Sequence, residues 1–399
     1  MNPITSHIPK SFSERDKCKA FLSKHPEYFI NQISQEYPFT KQQLNDFGDR
    51  LDWELVSYNA TINWDREMMV EFGNVLDWKA ISGNPSAFKD ANLLDVFSDR
   101  LDWKGNDEYY WDSVANNDGL PWSEDFVKRY ESLLNFKKLS NNRVIKWSEN
   151  LIDTYLDRLD LETLGGNESV PWNLRLFDKY LDKGYLKFIV VLINQTLLSD
   201  IKFIDKYGSH LNWVYVCSNP NLPWIEKNLF NHWNKMIDWY GIAHNESLFE
   251  RDKGLFLRNM GKWRMDNFRG FSALSSNKSL PWSKQFNDTY KQNWNWGDIS
   301  LNEGIPWNIE LIDYFADSLV WGRWYDTNII DKNGEEISPT GGRECVRGLT
   351  NNESLPWSID FINYYQQQID FERLLMNPSV WEKAFKHIIN DAFIKDFFA

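Results

Sequence analysis

The sequence has few cysteines. Cys18, Cys217 and Cys345 lie far apart with no CxxC pair, so neither a disulfide framework nor a zinc site is expected. Six histidines are scattered without HExxH spacing, and the GxxxxGKS/T, GxSxG and GxGxxG phrases are all missing. No cofactor, metal or catalytic residue is therefore expected. Positive charge is also in deficit: the net charge of −13 disfavours general binding to nucleic acid or anionic lipid and leaves a basic protein partner open. No apolar run is long enough to cross a bilayer, and MNPITSHIPKSFSERDK lacks the apolar stretch of a signal peptide, which predicts a soluble, cytoplasmic chain.

What the chain has in excess is tryptophan, with 21 residues, and the phrase NNDGLPWSEDF at 116–126 returns as NNESLPWSIDF at 351–361. Aligning these phrases gives thirteen repeats of about 25 residues, anchored at Phe39, Trp64, Phe88, Trp122, Trp147, Trp172, Leu198, Trp224, Phe249, Trp282, Trp307, Trp357 and Trp381. A second anchor series that includes Trp53, Trp78, Trp103, Trp213 and Trp296 runs between them, usually after Leu-Asp or Leu-Asn. All but four tryptophans, namely Trp111, Trp233, Trp294 and Trp324, fall in the two series. Rings spread one per layer are core rather than a binding cluster.

Each half of the repeat carries a helix signal. In LPWSEDFVKRYESLL, Ser123 is a good N-cap, Glu124 and Asp125 suit the helix start, and the apolar spacing through Tyr130 and Leu134 predicts about three turns. In LDWELVSYN, Asp52 caps a short helix that stops near Asn59. The same capping explains Asp77, Asp102, Asp160, Asp238 and Asp370 better than metal binding, because one carboxylate per layer does not converge. Asparagine recurs at each junction, as at Asn117, Asn142, Asn167, Asn219, Asn277, Asn302 and Asn352. It suits the left-handed conformation that ends helices, and stacked repeats would align the amides in a ladder.

The phrases N-x-x-L-P-W-S and L-D-W resemble a group of tryptophan-rich short helical repeats found in some bacterial and giant-virus proteins, across roughly residues 36–385. The resemblance implies a helical repeat fold and carries no activity and no catalytic residue. The expectation is an all-α protein: an elongated, curved α-solenoid over 36–385, an N-terminal helical cap at 1–35 covering the first repeat, and a closing helix at 386–399.

Three insertions, at 104–110, 264–270 and 322–345, fall at one point of the repeat, just ahead of its shorter helix, and should emerge along one face. The third holds Asn333-Gly334 between β-prone segments, a hairpin signal near 324–338. The stretch 251–270 carries six basic residues against two acidic ones. Paired with nearby carboxylates these cations are a solvated face; unpaired they are an anion or acidic-partner patch, with nucleic acid a remote option.

The expected function is a non-enzymatic, monomeric scaffold that captures a protein through the insertion-bearing face. Trp324, Arg323, Arg343 and Arg347 would form the main contact, with Arg258, Lys262, Arg264 and Arg269 a second one. An immunity-type protein that neutralises a basic toxin or nuclease, and a carbohydrate-active enzyme on a closed helical toroid, are the alternatives.

Overall fold

The computed structural model describes residues 13–105, 113–182, 194–225, 227–265, 269–327 and 342–399, with the backbone alone at 264–265, 269–271, 323–327 and 342–345. Its regular structure is short helices, apart from two five-residue strands. The chain gathers into two bodies: a central body, Glu27–Asn228, and an end body made of Met1–Pro26 with Leu229–Ala399.

The shorter helix of each repeat is built as its sequence requires. Asp52 Oδ1 accepts from the amides of Glu54 (3.0 Å) and Leu55 (3.2 Å), which opens the helix Trp53–Tyr58. Asp77 and Asp160 open Trp78–Gly83 and Leu161–Gly166 in the same way. Asn59, Asn84 and Asn167 follow these helices, but their backbones are extended, with φ between −63° and −79°, rather than left-handed. Among the described non-glycine residues only Asn228 has positive φ. The asparagine is therefore not there for its backbone tolerance.

Its side chain joins one layer to the next. Asn84 Nδ2 donates to the carbonyls of Ser57 (2.8 Å) and Asn59 (3.2 Å) in the preceding repeat. Asn167 does the same to Ser140 (3.0 Å) and Asn142 (2.8 Å), and Asn302 to Ser275 (2.7 Å) and Asn277 (3.1 Å). Each Oδ1 accepts an amide two residues ahead, such as Ser86 N or Gly304 N at 2.8 Å. These asparagines are buried, so every polar group of the amide is spent where an unmade bond would be costly.

A serine two residues before the asparagine adds a second tie. Ser57 Oγ donates to Trp53 O (2.6 Å) and accepts the amide of Asp77, the next N-cap, at 3.0 Å. Ser82 with Asp102, Ser140 with Asp160, Ser275 with Asn295 and Ser300 with Val320 repeat the contact across twenty residues.

The indoles use a local rule. Trp122, Trp147, Trp282, Trp307 and Trp357 each donate Nε1 to the carbonyl of the asparagine five residues back. Trp53, Trp78, Trp103, Trp213 and Trp296 reach the carbonyl five residues back in their own series. Trp172 instead bonds Leu164 O at 3.1 Å. Trp172 and Trp224 are buried with the other anchors of their series, whereas Trp53, Trp78, Trp213 and Trp296 of the second series are half-buried.

The helix expected to be the longer one comes out at six residues, no longer than Trp53–Tyr58. Ser123 Oγ accepts Phe126 N (3.1 Å), yet the helix covers only Glu124–Arg129. Tyr130 and Leu134 stay buried on a closing turn, with Leu134 N bonded to Tyr130 O at 3.0 Å. The chain reverses there to reach Asn135, the next N-cap, so helical spacing continues beyond the helix.

The described residues of the expected cap, 13–35, do not act as one unit. Helix α1 (Glu14–Leu22) opens with a Ser13/Asp16 capping box and buries Cys18 and Leu22 in the end body. There Phe21 stacks on Phe385 (5.1 Å) and His25 on Phe371 (5.9 Å), while Arg15 and Lys19 pair with Asp396 of the last helix, Asp391–Phe398. Helix α2 (Pro26–Glu36) alone covers the first repeat, where Ser34 O accepts Asn59 Nδ2 (2.9 Å) and Ser34 Oγ accepts Asp52 N (3.0 Å). No helix of the described residues is long and apolar enough to cross a membrane.

Candidate functional site

The third insertion leaves its layer between two glycines. Gly322 has φ +84°, and a Cβ on it would stand 2.9 Å from Gly348 N; a Cβ on Gly348 would meet Val320 O at 2.2 Å. The close approach thus requires glycine on both sides. From this neck run strands β1 (Arg323–Thr327) and β2 (Gly342–Val346), antiparallel, with Arg323 opposite Val346, Trp324 opposite Cys345 and Asp326 opposite Arg343. The pairing brings Arg323, Trp324 and Arg343 onto one two-stranded element, and Arg347 follows it directly with an exposed side chain. The Asn333-Gly334 turn lies outside the described residues, as do most of the 104–110 insertion and residues 266–268 of the second.

The basic stretch is partly spent at home. Arg258 is ion-paired with Asp252, and Lys262 Nζ lies 5.9 Å from the ring centre of Trp239. Both remain exposed, on the helices Leu255–Arg258 and Met260–Met265. The side chains of Arg264 and Arg269 lie outside the described residues.

The recurrent aspartates are occupied by capping, Asp238 accepting Gly241 N (2.8 Å) and Asp370 accepting Arg373 N (3.2 Å). Among the described residues no group of three His, Cys, Asp or Glu side chains is placed to hold a metal ion. Burial pushes the Cys18 thiol up to about 12, which leaves it protonated and inert at neutral pH.

A site absent from the sequence reading lies on the longer-helix face of the end body. A groove of about 660 Å³ runs between the helices Ile309–Tyr314 and Ile359–Tyr364, lined by Trp307, Ile309, Pro356 and Phe361, with Glu310, Asp360 and Tyr364 among its polar or aromatic walls. Ile309 and Tyr364 are 40% and 53% exposed. Asp360 pairs with Lys17 of α1 at 2.7 Å. The signal in the sequence was the residue two places after an anchor, charged at Lys41, Glu124, Glu149 and Lys284 but aliphatic at Leu174, Ile309 and Ile359.

Compared with known proteins, the chain matches no family model, no curated protein and no solved structure.

Proposed function

We propose that this chain is a non-enzymatic scaffold, an α-solenoid of tryptophan-anchored repeats akin to the tryptophan-rich short repeat group, that captures a protein partner through its insertion-bearing face. One observation carries the reading: the asparagine ladder steps over every insertion. Asn352 Nδ2 bonds Ser300 O (2.9 Å) and Asn302 O (3.3 Å) across the 322–345 insertion. Asn117 bonds Ser82 O and Asn84 O across 104–110, and Asn277 bonds Ala243 O across 264–270. Inserted residues that leave the stacking intact are free to serve recognition rather than folding.

In this reading the hairpin carrying Arg323, Trp324 and Arg343, together with Arg347, makes the main contact. Arg258, Lys262, Arg264 and Arg269 form a secondary one, and the protein works as a cytoplasmic monomer. An aromatic and arginine cluster on a projecting element is the composition that dominates interface energy. The test is deletion of residues 324–344, followed by thermal unfolding and by pull-down from the native host. The expected result is an unchanged unfolding transition with loss of the partner retained by the full chain. Retention of that partner by the deletion protein would overturn the proposal.

A further inference from the structure

On the longer-helix face, neighbouring layers are tied by a recurring side-chain triad: the residue two places after one anchor meets those three and seven places after the next. Lys41 lies 3.5 Å from Glu67 and 2.7 Å from Glu71. Glu149 binds Arg175 (2.5 Å) and Lys179 (2.8 Å), and these cations hold its carboxyl down at about 2. In the end body Lys284 completes the pattern with a carboxylate and an aromatic ring, its Nζ 3.5 Å from Glu310 Oε1 and 3.9 Å from the ring centre of Tyr314. That contact is an occupied lysine site, built from ion pairing and cation–π attraction.

One layer further on the host half of the site is repeated, but the preceding repeat supplies no lysine. Asp360 and Tyr364 stand where Glu310 and Tyr314 stand, but the preceding layer offers Ile309 in place of Lys284. Ile309 and Tyr364 both line the groove, where the Tyr364 hydroxyl donates to Asp313 Oδ2 (2.9 Å) and its ring packs edge-on against Tyr365. Asp360, with a side chain 76% exposed, takes the ammonium of Lys17 from α1 instead, which shows that its carboxylate is within reach of a lysine arriving from another element. Ile309 and Pro356 add apolar surface beside it.

We propose that this groove binds a lysine side chain presented by an extended segment of a partner protein, with the ammonium between Asp360 and Tyr364 and a flanking aliphatic residue on Ile309. The lysine would take the place in this layer that Lys284 takes in the one before, and the overall negative charge favours the approach of a basic segment. The site lies on helices, apart from the strand pair, and does not rest on the function proposed above.

The test titrates full-length protein against a fluorescent, end-capped pentapeptide with a central lysine between leucines, and against the same peptide with that lysine acetylated. Anisotropy should show binding of the first and about tenfold or greater weakening of the second, the loss of one charge-assisted contact. Ile309→Lys, which supplies the cation from within, should abolish binding at an unchanged unfolding midpoint. Tyr364→Leu should weaken it if that variant fails to fold, and Lys17→Gln should strengthen it by releasing Asp360. Equal binding of the two peptides, undiminished binding by folded Ile309→Lys, no binding by the wild type, or n-butylamine binding as tightly as the peptide would each overturn the proposal.

Discussion

Asn167 shows what a single residue does in this array. Its Nδ2 satisfies two main-chain carbonyls of the preceding repeat and its Oδ1 accepts Ser169 N (3.0 Å), all at a buried position. Alanine there strands two buried acceptors, at about 1–3 kcal/mol each, so Asn167→Ala should lower stability by at least about 2 kcal/mol in denaturant titration. Trp172→Ala should cost about 3–5 kcal/mol in the same measurement, since it empties a ring-sized space and drops the bond to Leu164 O. The anchors and caps were legible because their chemistry is local: an Asp or Ser before a helix start and an indole five residues after a carbonyl are written within one repeat. The asparagine spacing implied aligned amides. That the acceptors are main-chain carbonyls of the previous repeat, and that the backbone is extended, is set by stacking that no single repeat contains. The serine of Ser57-x-Asn59, Ser82-x-Asn84 and Ser300-x-Asn302 was equally visible in the sequence, yet its partner is an amide twenty residues ahead.

At the scale of the helix, the longer helices are tied by buried tyrosines whose hydroxyls donate to carboxylates one repeat back: Tyr155 to Glu131 (2.7 Å), Tyr180 to Asp153 (3.1 Å) and Tyr365 to Asp313 (2.9 Å). Burial, and then the bonded carboxylate, push the Tyr155 and Tyr180 hydroxyls up to about 12. A phenol whose folded value is raised adds stability that is complete below its unfolded value of about 10 and is lost as pH rises through the folded value. The unfolding midpoint should therefore hold steady up to about pH 10 and fall between about 10 and 12, with phenolate absorbance rising alongside unfolding. A midpoint that stays level across that window would remove these contacts from the account. The helix lengths were misread from sequence because apolar spacing persists through the turn after Tyr130, whereas the hydrogen-bonded helix ends before it. The groove at Ile309 escaped for a different reason: a missing cation is visible only against the triads of other layers.

At the scale of the whole chain, the described residues form two bodies, and the first and last helices share one of them. The ion pairs of α1 with Asp396 are half exposed and contribute little each, so its docking rests on apolar burial of Leu22 and its neighbours. Leu22→Ala should cost about 2–5 kcal/mol, while raising the salt concentration to about 1 M should shift the unfolding midpoint little. Nothing in residues 14–22 names a partner more than three hundred residues away, which is why they read as a cap for the first repeat. The repeats are joined through asparagine amides even where the chain departs between them. Asn352→Asp tests this most directly, because the carboxylate can still accept Ser354 N but cannot donate to Ser300 O and Asn302 O, and sets an oxygen against both. We expect equilibrium unfolding of that variant to show a loss of about 3 kcal/mol or more; a midpoint equal to that of the parent protein would contradict the claim.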